Sequence, residues 1–205
     1  MGEIKEIQPV LLIVAVFSSI ETAFGWVRER VESQFGEIAV ESEKFRFDQF
    51  TNYYNPSMGQ ILHKQLWGFK NLIDPSSLSK IKLQTNKLET DFCNENKTDF
   101  TRPINLDPGY VDLGKLILAS TKDHSHRIYL SDGIFAETTL IYRQKKWEPL
   151  PWSYPDYQSE ICHNFLSQCR DLLYHRRNEV EGSSKNIICK NVHFPQRHKV
   201  HKEKN

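Results

Sequence analysis

The chain has 205 residues, 39% of them apolar, which is long enough for one domain with a real core and too apolar for gross disorder. Its 27 basic and 26 acidic residues leave a formal net charge of +1, so no overall field recruits nucleic acid or an anionic membrane, and neither partner is expected. Cys93, Cys162, Cys169 and Cys189 lack the density and paired spacing of a disulfide framework or a zinc ribbon, which fits a reduced, cytoplasmic compartment.

Val10 to Phe17 (VLLIVAVF) is a continuous run of mostly branched apolar residues, the pattern of a central strand buried on both faces. It is only about half the roughly 20 residues that a membrane helix needs. Glu3 and Glu6 offset Lys5 before it and no A-x-A site follows, so an export signal is not expected either. Ser18 and Glu21 then form an S-x-x-E capping box, and Ile20, Ala23, Phe24, Val27, Val31 and Phe35 recur at helical spacing until Gly36. Ile38 to Phe47 reads as a second strand, with Glu41, Glu43, Lys44 and Arg46 marking a solvated face or an edge. The loop from Asp48 to Gly59 (DQFTNYYNPSMG) is long enough to carry function, and Gln60 to Phe69 alternates as a third strand.

Asp74-Pro75 places an N-cap before an N1 proline, and Leu78, Ile81, Thr85, Leu88 and Phe92 mark the buried stripe of a helix ending near Cys93. Ile104 to Leu106 begins an extended segment that is expected to break at Asp107-Pro108-Gly109, a type II turn signal. Strand, helix, strand, strand, helix, strand is the plan of a ferredoxin-like α+β sandwich, with helices on one face of an antiparallel sheet. Lys115 to Ser120 and the hairpin arms Arg127 to Leu130 and Ile134 to Tyr142 should extend that sheet. A last helix from Ser159 to His175 should cover it with Ile161, Phe165, Cys169 and Leu172. The expected domain is 8–176, and 177–205 reads as a disordered or loosely docked basic tail whose Cys189, His193, His198 and His201 would chelate metal only opportunistically.

The chemistry concentrates between Asn105 and Tyr142. Asp132-Gly133 is a two-residue hairpin signal that pairs Leu130 with Phe135, Tyr129 with Ala136, Ile128 with Glu137 and Arg127 with Thr138. Alternation then puts His126 and Glu137 on one face, joined by His124, and Arg127 on the other. His124, His126 and Glu137 are a candidate divalent-metal site for a hydrolase using a metal-bound water, the one cofactor the sequence suggests. The blander reading is a satisfied polar hairpin. Lys122 and Arg127, with His126, Asp107, Tyr110, Tyr53 and Tyr54, are a candidate pocket for a small anionic ligand, phosphorylated or nucleotide in class. A third reading takes the hairpin as an edge for self-association without catalysis. There is no G-x-x-x-x-G-K-[ST], G-x-G-x-x-G, G-x-S-x-G or H-E-x-x-H, which removes the chemistries those motifs carry.

The stretches ESEKFRFDQFTNYYNPSMG, NLDPGYVDLGKLILASTKDHSHRIYLSDGIFAETTLIY and PLPWSYPDY resemble the uncharacterised bacterial family described as domain of unknown function 4416, over roughly residues 8 to 175. The resemblance implies a cytoplasmic bacterial protein with no established activity. Some members carry a GTP-binding label, yet this chain has no phosphate loop, and Thr121-Lys122-Asp123 matches the guanine-reading N-K-x-D only faintly. Where that family is often acidic, this chain has Asn52, Asn55 and Ser57, which weakens a site built on those carboxylates. The tail after His175 lies outside the resemblance.

Overall fold

A computed structural model describes residues 2–190, with side chains described through Glu179. The apolar run forms β1 (Val10–Ser18), and every one of its residues is buried. Such a strand needs cover on both faces, and its alternating side chains divide accordingly. Leu12, Val14 and Val16 pack with Ala23, Phe24, Val27 and Val31 of α1 (Glu21–Phe35) and with Ile81, Leu88 and Phe92 of α3 (Leu78–Glu95). Leu11, Ile13 and Ala15 pack with Cys162, Phe165, Leu166, Cys169 and Leu173 of α4 (Glu160–Lys190). The result is three layers, with two helices, then a sheet, then the C-terminal helix.

The other strands are β2 (Ile38–Glu41), β3 (Phe45–Arg46), β4 (His63–Ile73), β5 (Ile104–Asp112), β6 (Lys115–Ser120), β7 (Ile128–Ser131), β8 (Ile134–Arg143) and β9 (Lys146–Pro149). All pair antiparallel in the order β2-β4-β1-β5-β6-β8-β7, with β3 also on β4 and β9 also on β8. One turn of helix, α2 (Asn55–Met58), interrupts the loop between β3 and β4. Among the described residues no helix is long and apolar enough to cross a membrane.

Several local expectations change. The capping box does not form, because Ser18 is the last residue of β1 and its hydroxyl donates to Pro103 O while accepting from Ile20 N, so α1 starts without a side-chain cap. Gly36 does end that helix, at φ 96°. The expected second strand is two short ones, because Ser42 leaves the strand path and binds both polar groups of Leu66, its N–H donating to Leu66 O and its hydroxyl accepting from Leu66 N. Asp74 caps a short 3₁₀ turn, Pro75–Ser77, rather than α3 itself. The last helix runs on past residue 176 to Lys190, and the candidate chelators His193, His198 and His201 lie outside the described residues.

The correction with most consequence concerns Asp107-Pro108-Gly109, which is not a turn. β5 continues straight through it, paired with β1 from Ile104 to Val111. With β6, however, it pairs only from Gly109 to Asp112, while β6 runs on beside β8, Leu118 against Glu137 and Ser120 against Phe135. The two strands therefore part at Gly109. Pro108 offers no N–H to continue the ladder. Gly109 is the last point of contact and a close one, since a Cβ there would stand 2.3 Å from Ile117 O. Beyond the parting, the backbone of Leu106 needs other partners. Its N–H donates to Glu89 Oε1 at 2.8 Å, and its carbonyl accepts from Lys82 Nζ at 2.8 Å, both side chains coming from α3.

Gly109→Ala forces the β5–β6 crossing apart and is expected to cost about 1–3 kcal/mol or more. Gly114→Ala, where a Cβ meets nothing within 4 Å, should be close to neutral. Urea unfolding of both variants checks the contrast.

Candidate functional site

The parting of β5 and β6 opens a cavity of about 620 Å³, within the roughly 300–1,000 Å³ usual for small-molecule sites. Asn105 and Asp107 of β5 line one side, and Leu118, Ala119 and Ser120 of β6 with Glu137 of β8 line the other. Lys82, Asn86 and Glu89 reach it from α3, and Tyr154, Pro155, Asp156 and Tyr157 from the segment ahead of α4. Phe47, Phe50, Tyr53 and Tyr54 of the β3–β4 connection supply an aromatic wall. Strand register explains the central group, because Phe17 lies opposite both Lys64 and Asn105, and Ala15 opposite Asp107. Residues paired across antiparallel strands share a face, so Lys64, Asn105 and Asp107 project together on the α4 side of the sheet.

Charge inside this cavity is heavily paired. Lys64 Nζ meets Asp156 Oδ2 at 2.6 Å, with the side chains only 3% and 2% exposed. The same ammonium lies over the rings of Tyr157 at 4.3 Å and Phe47 at 5.0 Å. Burial alone would discharge Lys64, but Asp156 outweighs it and holds the lysine pKa above its ordinary value. Lys82 Nζ meets Asp107 Oδ1 at 3.1 Å, and Asn105 Nδ2 donates to Asp107 Oδ2 at 2.7 Å. Burial would raise the Asp107 carboxyl, yet Lys82 and Lys64 lower it below the ordinary range, so it is ionised. It still opens onto the cavity, its side chain 33% exposed.

Glu89 meets Arg102 Nη2 at 3.1 Å, and its burial raises its pKa against the pull of Lys82 and Arg102. Arg127 Nε meets Glu137 Oε2 at 2.7 Å, while its Nη1 donates to Ser120 Oγ at 2.7 Å and to Lys122 O at 2.9 Å. Burial pushes the Tyr54 phenol up to about 12 and raises Tyr157 further, so both remain neutral donors. Tyr157 Oη has no hydrogen-bond partner among the described residues.

Of the residues expected to bind a ligand, Lys122, Arg127, Asp107, Tyr53 and Tyr54 line this cavity together with Glu137. Lys122 Nζ stands 5.1 Å over the Tyr53 ring. Tyr110 does not line it, because it sits beyond the parting in the paired half of β5, against the cluster of Leu78, Ile117, Ala119 and Ile134. His126 and His124 do not line it either. The His126 ring is stacked on Trp152 at 5.0 Å and on His124 at 5.8 Å, and its Nε2 lies 3.1 Å from Glu137 Oε2.

The expected separation of His126 and Arg127 onto opposite faces is overturned. Asp132 and Gly133 make the turn with φ of 54° and 76°, as a type I′ hairpin requires, but Ile128 pairs with Ala136 and Tyr129 with Phe135, one residue away from the expected register. β7 starts at Ile128, so His126 and Arg127 belong to the turn before it, where Arg127 N donates to His124 O and strand alternation does not apply. Both side chains consequently reach the same carboxylate oxygen, Glu137 Oε2. With a guanidinium already on that oxygen, His124, His126 and Glu137 do not form a metal cage, and no group of three or more His, Cys, Asp or Glu side chains among the described residues does.

Sequence reasoning passed over Lys64, Lys82, Glu89, Arg102, Asp156 and Tyr157. Two of them left a readable signal. Lys64 stands between Leu62 and Leu66 at the inward spacing of a strand, and Lys82 stands beside Ile81 on the apolar stripe of α3, where a lysine needs a buried partner.

The family model described as Domain of unknown function (DUF4416) matches residues 8–173, from just before β1 into α4. Comparison with curated proteins and with solved structures gives no match.

Lys64→Met leaves Asp156 buried without a counter-charge and is expected to cost about 3–5 kcal/mol. Lys64→Met combined with Asp156→Leu removes both charges and should recover most of that loss. A double-mutant cycle by denaturant unfolding reads the difference.

Proposed function

The chain belongs to the DUF4416 family, whose description assigns no activity, and we propose from its cavity that it binds a small anionic ligand, phosphorylated or nucleotide in class. The observation that carries this reading is Lys122. Among the cations lining the cavity, Lys64 faces Asp156, Lys82 faces Asp107, Arg102 faces Glu89 and Arg127 faces Glu137. Lys122 faces no carboxylate among the described residues, so the cavity carries one uncompensated positive charge at an exposed lysine. Arg102 keeps a second open donor, because among the described residues its guanidinium uses only Nε and Nη2, both on Glu89. An anion meeting Lys122 forms a charge-assisted contact and displaces no existing ion pair.

The placement of the sequence stretches supports the same reading. YYNPSMG contributes Tyr53 and Tyr54, NLDPGY contributes Asn105 and Asp107, STKDHSHR contributes Ser120 to Lys122 and Arg127, and PLPWSYPDY contributes Tyr154 to Tyr157. Stretches far apart in the chain and resembling one family thus wall one cavity. The scaffold we read beneath it is a ferredoxin-like unit over Val10 to Asp112. That reading rests on the strand order β5-β1-β4-β2 and on α1 and α3 sharing one face. β6 to β9 and α4 extend it.

Thermal unfolding with a panel of phosphate compounds tests the proposal. At about a hundredfold excess over Kd a bound ligand adds about 2.7 kcal/mol, a shift easily read. Lys122→Ala is expected to weaken binding about tenfold or more, since a hydrogen bond to a charged group is worth about 1.5–3 kcal/mol, while the unliganded protein loses no more than the roughly 0.5–1 kcal/mol of the contact with Tyr53. The absence of any shift across the panel would sink the reading.

A further inference from the structure

Much of the polar lining is committed to holding the fold. Glu89 and Lys82 satisfy the backbone of Leu106, Arg127 and Glu137 neutralise one another, and Lys64 and Asp156 form a closed pair. Several lining groups keep bonding capacity, and three of them stand out. Asp107 is an acceptor that opens onto the cavity, Asn86 lines it with no side-chain hydrogen bond among the described residues, and the Tyr157 hydroxyl is buried and unpartnered. Phe50 and Tyr54 add aromatic surface to the same lining.

This remaining set has a definite chemistry. An ionised carboxylate and an amide carbonyl accept from hydroxyl donors, a neutral phenol donates to a hydroxyl oxygen, and ring faces cover the C–H surface between hydroxyls. An anion with an apolar body would leave the free lone pairs of Asp107 and the donor of the Tyr157 hydroxyl unused, whereas hydroxyl groups on the ligand would engage both. We infer that the ligand is a phosphorylated sugar or polyol, its phosphate held at Lys122 and its hydroxyls set against Asp107, Asn86 and Tyr157. The inference rests on the anion-binding reading of the same cavity and goes beyond it by naming the body of the ligand.

Isothermal titration of the full chain separates the two claims. The probes are glycerol 3-phosphate, ribose 5-phosphate and glucose 6-phosphate, against inorganic phosphate and phenyl phosphate. At least one of the first group is expected to bind about tenfold or more tighter than either of the second, the yield of two or more hydroxyl contacts at about 1 kcal/mol each. Tyr157→Phe should reduce that advantage about fivefold, the equivalent of one such contact, while the unliganded unfolding midpoint stays level or rises, because the hydroxyl it deletes has no partner among the described residues. If phenyl phosphate or inorganic phosphate binds as tightly as every sugar and polyol phosphate, the sugar class is wrong and the anion site stands. If no phosphate compound binds, both claims fall. A lowered midpoint in Tyr157→Phe with an unchanged advantage would make the hydroxyl structural and overturn its assignment.

Discussion

The parting of β5 from β6 at Pro108-Gly109 is the constraint from which the site follows. Inside a sheet covered by helices, a strand edge without a neighbour leaves polar groups that cost about 1–3 kcal/mol each if they stay unpaired. At Leu106 the chain meets that cost with side chains from α3, Glu89 on the N–H and Lys82 on the carbonyl. Once a carboxylate and an ammonium stand at the opening, they require partners of their own. Arg102 answers Glu89, and Asp107, one residue further along β5, answers Lys82. The charge network therefore grows outward from a gap in backbone hydrogen bonding.

Buried ion pairs of this kind are poor sources of stability, because desolvation consumes most of the attraction. Their value here is positional. Lys64 and Asp156 are 92 residues apart and tie β4 to the turn ahead of α4. Lys82 and Asp107 tie α3 to β5, and Arg127 with Glu137 ties the β6–β7 turn to β8. Apolar packing alone tolerates small slides between elements, whereas each of these pairs loses its partner if the elements shift. The cavity walls come from separate parts of the chain, and the ion pairs fix how those parts meet.

This division explains what the sequence could disclose. β1, α1, α3 and the I′ turn at Asp132-Gly133 were legible because each is set by local periodicity or by a φ that few residues adopt. Lys122, Arg127 and Glu137 stood out as polar residues in segments read as sheet, and Asp107 as part of an expected turn. Their partners did not, since Lys64 and Lys82 are single cations inside apolar patterns and pair with residues distant in sequence. The two errors of geometry that bear on the cavity share a cause. Pro-Gly was read as a turn because local rules favour one there, and the hairpin register was extended backward through Arg127 as if the strand continued. In both places the chain is shaped by what lies beside it in space.

Lys122 is the exception to this pairing, and its position still has a physical explanation. It belongs to the β6–β7 turn, while Tyr53 belongs to the β3–β4 connection, and the two exposed side chains meet 5.1 Å apart, ammonium over ring. A cation–π contact at an exposed site is worth about 0.5–1 kcal/mol. That is enough to bias a long flexible side chain toward the cavity instead of into solvent. It is less than the roughly 1.5–3 kcal/mol of a hydrogen bond to a charged group, so an arriving anion wins the lysine from the ring. A carboxylate in place of Tyr53 would hold Lys122 more firmly and leave the anion to compete with an existing ion pair. An aromatic partner keeps the cation oriented and its charge unspent.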